Sequence, residues 1–148
     1  MHASSGLPVP GQPIEAKPSA RTQFTSTILV LEAFVVLFAC FVAMGLQGVE
    51  GAGADAVPVM PDATIWTSGG VLMAVLVVLS RTVGRPEGIV AGSVAQGVVL
   101  ATGLVVPMMF VVGAVFVVLW VVSLRLGGRI DRERAAFDAA HPDTAPNL

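Results

Sequence analysis

An acidic side chain inside an apolar run is the first place to look for chemistry, and Glu32 is one: from Thr25 to Leu46 no other Asp, Glu, Lys or Arg occurs. It lies about seven residues into that run, roughly 10 Å deep at the α-helical rise, where an unpaired charge costs on the order of 3 kcal/mol or more. Something has to answer for it. Gln96 is eight residues past Gly88 in a second apolar run that enters from the same side, so the two polar groups reach similar depth. Arg81, Arg85 and Arg125 stand at that surface with stems long enough to bend inward. Ser80 and Trp120 fall near the same level, which gives a candidate intramembrane polar cluster of Glu32, Gln96, Ser80, Arg81 and Trp120. Its chemistry would be that of a protonatable coupling site or a counter-ion for a cationic substrate. Its structural counterpart is a polar tie between helices, and that reading carries more weight. For Gln96 an interhelical hydrogen bond outweighs a binding role, and Trp66 and Trp120 read as interface anchors before ligand-stacking groups.

The soluble motif classes are empty. The one cysteine, Cys40, allows no disulfide framework and no metal-ligand spacing, and it reads as a small buried hydrophobe. No phosphate-cradling glycine loop with Lys occurs, and no Ser, His and Asp set could meet on one side of a bilayer. His2 and His141 lie in tails. Acid–base catalysis usually needs two positioned groups, and Glu32 has no protonatable companion. The expectation is therefore no enzyme, no cofactor and no metal. Arg129, Arg132 and Arg134 alternate with Asp131 and Glu133, a pattern that sets topology and gives no nucleic-acid surface.

The elements that would position Glu32 and Gln96 follow from hydropathy. The chain has 148 residues, 55% hydrophobic and 12% charged, far from the roughly 25% charge of soluble domains. Gly88 to Leu124 contains no charged residue, long enough for two bilayer crossings of about 20 residues each. Pro107 near its middle suits the first turn of a new helix. Together with the run after Thr25 and another after Asp62, this predicts an all-α polytopic membrane protein, an antiparallel four-helix bundle with helices at about 25–46, 63–80, 89–106 and 107–126. The membrane domain covers 24–128. Residues 1–23, with Pro8, Pro10, Pro13 and Pro18, read as a disordered tail, and 129–148 as a second tail with a short helix from Asp131 to Ala140. All eight basic residues then fall on one side, so the positive-inside rule predicts a multi-pass plasma-membrane protein with both termini cytoplasmic. Glu50, Asp55 and Asp62 face the other way. The third helix, rich in Gly, Ala and Ser with Gly88/Gly92 and Ser93/Gly97 spaced by four, is expected to be central.

Two stretches, Thr27 to Ala39 and Pro107 to Gly113 continuing through Phe116, Leu119-Trp120 and Gly128 to Asp131, resemble a small actinobacterial membrane protein family catalogued as domain of unknown function 4233. The resemblance covers about residues 24 to 135. It implies four helices and an actinobacterial source, in keeping with seven Arg to one Lys, and it transfers no activity.

Two functions remain. The first is a noncatalytic scaffold or accessory subunit, packed in the lipid bilayer within a homo-oligomer or against a larger membrane-protein partner. The second is a small proton-coupled transporter acting as a dimer through Glu32, similar in outline to the small multidrug resistance transporters. Against the second stand the shallow Glu32, the absence of tyrosine and the long tails.

Overall fold

The computed structural model describes residues 12–47, 49 and 57–147. Within them the chain forms α1 (Ala20–Leu46), α2 (Asp62–Thr82), α3 (Pro86–Ala101) followed by one 3-10 turn (Thr102–Leu104), and α4 (Met108–Ala140). There is no β-strand among the described residues; Gln47 and Val57 form an isolated bridge. All four helices are long and apolar enough to cross a membrane. Their outward surfaces carry Phe34, Phe38, Val78, Val94 and Leu104, each more than half exposed, a surface that suits hydrocarbon and not water. This is a multi-pass membrane protein. Glu50 and Asp55 lie outside the described residues, as does the tail up to residue 11.

Helix limits differ from those expected, for local reasons. α1 begins at Ala20, inside the segment read as tail, because Ser19 caps it by accepting a hydrogen bond from the Thr22 N–H. α2 passes Ser80 to end at Thr82. α3 begins at Pro86, with proline in its first turn, and tightens into the 3-10 turn before Pro107. The largest difference is at α4, which does not stop at 126 but continues unbroken to Ala140. Its 33 residues make about 50 Å of helix against a hydrocarbon core of about 30 Å, so its charged last turns stand clear of the membrane. Gly127 does not break it, because that glycine is packed against the Arg21 backbone. An Arg129–Glu133 pair at 2.7 Å bridges one turn further on.

The centre of the bundle is α1, not the expected α3. α1 packs extensively on both α2 and α4, and touches α3 only sparingly. Small residues set those approaches: Gly69 of α2 lies against the Cys40 sulfur, and Gly127 of α4 against Arg21. In α3 only part of the small-residue pattern is used. Gly88 meets the Thr82–Val83 backbone and Gly92 the Trp120 ring, whereas Gly97 faces open space. Small residues permit close approach, but their spacing does not say from how many sides it comes.

The contacts of Gly127 with Arg21 and of Gly84 with Thr22 bring the beginnings and ends that carry the basic residues to one end of the bundle. There Asp131 of α4 completes the start of α1. Its carboxylate accepts from Ser19 Oγ at 2.5 Å, Ala20 N at 2.7 Å and Arg21 N at 3.2 Å, an N-cap supplied from another helix and set against the positive end of the α1 dipole. Burial alone would raise this carboxyl, but the bonds from Ser19, Ala20 and Arg21, with the Arg134 charge, outweigh it and hold it below its usual value. Ile14 and Asn147 pair through their backbones and the Asn147 side chain, which ties the segment before α1 to the one after α4.

Asp131→Ala should therefore fray the first turn of α1 at a cost of about 1 kcal/mol, the usual value of an N-cap. Amide exchange at Ala20 and Arg21 in nanodiscs would read it, and unchanged protection would count against the cap. Because the folded pKa lies below the unfolded one, the carboxylate stabilises at neutral pH. That contribution disappears as pH falls through the lowered value. The Ala20 amide resonance should titrate with a midpoint under 3.8, the group's ordinary pKa.

Candidate functional site

Glu32 sits more than three turns into α1, among the fully buried side chains that include Leu29, Leu76 and Val99. The helical period turns it toward α3, because Leu29, Ala33 and Val36 on the same stripe are also buried. Gln96 lies on the buried stripe of α3 with Gly92, Ala95 and Val99. The two meet: Gln96 Nε2 donates to Glu32 Oε2 at 2.6 Å. Both are sealed from the surface, at 0% and 4% exposure. Their remaining oxygens, Glu32 Oε1 and Gln96 Oε1, have no donor among the described residues.

The other three members of the expected cluster do not join this pair. Ser80 is buried, but its hydroxyl bonds back to the Val77 carbonyl at 2.7 Å in its own helix. Arg81 is exposed, and no arginine forms an ion pair with Glu32 among the described residues. Trp120 is buried beside Gly92, with its indole Nε1 donating to Ser93 Oγ at 3.1 Å. The cluster thus separates into an α1–α3 polar tie and an α3–α4 polar tie. Ser93 was legible only as a small residue at a close-packing spacing; its hydroxyl as the Trp120 acceptor was not. No group of three or more His, Cys, Asp or Glu positioned to hold a metal ion occurs among the described residues.

One helical turn beyond Glu32, toward the end away from the arginines, a groove of about 1080 Å³ opens between α2 and α3 with α1 as its floor. Its described lining contains no Asp, Glu, Lys, Arg or His, and Glu32 and Gln96 are not part of it.

No curated protein and no solved structure matches this chain. The family model described as "Protein of unknown function (DUF4233)" matches residues 22–136, a span that takes in α2, α3, the Glu32–Gln96 pair and nearly all of α1 and α4, Asp131 included. A match over that much of the sequence settles its kinship: the chain belongs to the DUF4233 family.

Proposed function

We propose that this protein is a noncatalytic scaffold or accessory subunit of a membrane assembly, held in the plasma membrane with both termini in the cytoplasm. One observation carries the reading: the one buried acidic residue among the described residues is spent on a sealed hydrogen bond between two helices. A coupling group has to exchange protons with water or meet a substrate. Glu32 does not line the groove between α2 and α3, and the hydrogen-bond partner it has is Gln96, which does not titrate. What it does is fix α3 to the central helix, where few other α1–α3 contacts exist. The sidedness rests on the gathering of basic residues at one end of the bundle.

Co-purification from native membranes followed by mass spectrometry tests this reading. A stoichiometric membrane protein or a defined homo-oligomer is expected, and Glu32→Gln should retain it. Proton release from the purified protein on adding a hydrophobic cation, lost in Glu32→Gln, would replace the scaffold with a proton-coupled dimeric transporter.

A further inference from the structure

Each helix brings one arginine to the same end of the bundle, where its apolar stretch stops. Arg21 is in the first turn of α1, Arg81 in the last turn of α2 and Arg85 at the N-cap of α3. Arg125 of α4 follows the last residue of the uncharged run from Gly88 to Leu124. Packing fixes their relative heights. The Arg21 backbone lies against Gly127, two residues from Arg125, and the Thr22 side chain lies against Gly84, the neighbour of Arg85. Arg81 precedes Gly84 by three residues, so the four arginines fall within about one helical turn of each other, about 5.4 Å.

All four are exposed, and none of them joins the one ion pair among the described residues, Arg129–Glu133. A single acid shares their level, Glu87 in the first turn of α3, which leaves the positive charge well in excess. Outside this layer the balance reverses. Lys17, Arg129, Arg132 and Arg134 stand with Glu15, Asp131, Glu133, Asp138 and Asp143, and Asp131 and Glu133 are already engaged. The unmatched charge is therefore confined to a layer about one turn thick, spread over four helices, at the edge of a surface that meets hydrocarbon. Such a layer is complementary to a plane of anionic head groups.

We infer that this arginine belt is a binding surface for phospholipids whose head groups carry a net negative charge. The belt is separate from the Glu32–Gln96 pair, and the inference does not depend on the scaffold reading. The full chain would be reconstituted in nanodiscs of equal phosphatidylglycerol and phosphatidylcholine, which share a phosphodiester and differ in net charge, then released gently and weighed by native mass spectrometry. Phosphatidylglycerol should be retained in excess, with each arginine contributing about a fivefold preference. Arg81→Gln, Arg85→Gln and Arg125→Gln should each lower the excess by about that factor. Arg132→Gln lies about 10 Å further along α4 than Arg125, roughly a Debye length at 0.1 M salt, and should leave the excess within about twofold. Raising the salt from about 0.05 M to about 0.5 M should shrink the excess in the parent chain, a reading that needs no substituted protein. Equal retention of the two lipids, which would leave the belt to an acidic protein, would overturn the assignment. So would a preference indifferent to salt, or a loss from Arg132→Gln as large as that from Arg125→Gln.

Discussion

Valine in place of Gly88 is expected to destabilise the bundle by about 3 kcal/mol, the upper end of the usual cost of overpacking. The reason is that the added Cβ would overlap backbone atoms, the Thr82 carbonyl and the Val83 Cα. A side chain in the way can change rotamer; a peptide group can move only if α3 moves with it. The same substitution at Gly97, which faces open space, should change stability by less than about 0.5 kcal/mol. Reversible unfolding in mixed micelles would compare the two. Equal effects would mean that the α2–α3 corner is looser than described.

The second large effect is at the buried pair. Gln96→Leu removes the one donor to Glu32 among the described residues and leaves a buried carboxylate without it, at an expected cost of about 3 kcal/mol. Removing the carboxylate as well should recover most of the loss, so that Glu32→Leu/Gln96→Leu lies within about 1 kcal/mol of the parent. Glu32→Gln, which keeps the shape and adds a donor, should be mild. The four proteins of the Glu32/Gln96 leucine cycle isolate the coupling between the two residues. Additive losses would show that the hydrogen bond is not what holds α3 to α1.

The apolar spans were legible because a bilayer imposes composition over some 20 residues at a time, and no local detail can disguise that. Depth was legible too: counting turns from Thr25 and from Gly88 puts Glu32 and Gln96 at one level. Direction was not. Ser80 and Trp120 have the right depth, but their polar atoms turn to Val77 and Ser93, because rotation about each helix axis depends on packing that hydropathy averages away. Arg81 lies on the exposed side for the same reason. The small residues of α3 promise close contact without naming the neighbour, so their pattern points to α3 for the centre that α1 occupies. Hardest to see was Asp131, whose place among alternating arginines and acids reads as part of a pattern that sets topology. Its role depends on a contact with Ala20 across 111 positions of sequence, which no local pattern encodes.

That distance has a consequence for biosynthesis. The leading turn of the first helix leaves the ribosome long before the aspartate that finishes it has been translated, so early intermediates carry bare amide groups at that turn. Only when the last helix has been threaded and its protruding segment released can the opening turn be sealed. A nascent chain halted just short of Asp131 would already hold its apolar helices and still lack the carboxylate to which the first amides of the opening helix donate.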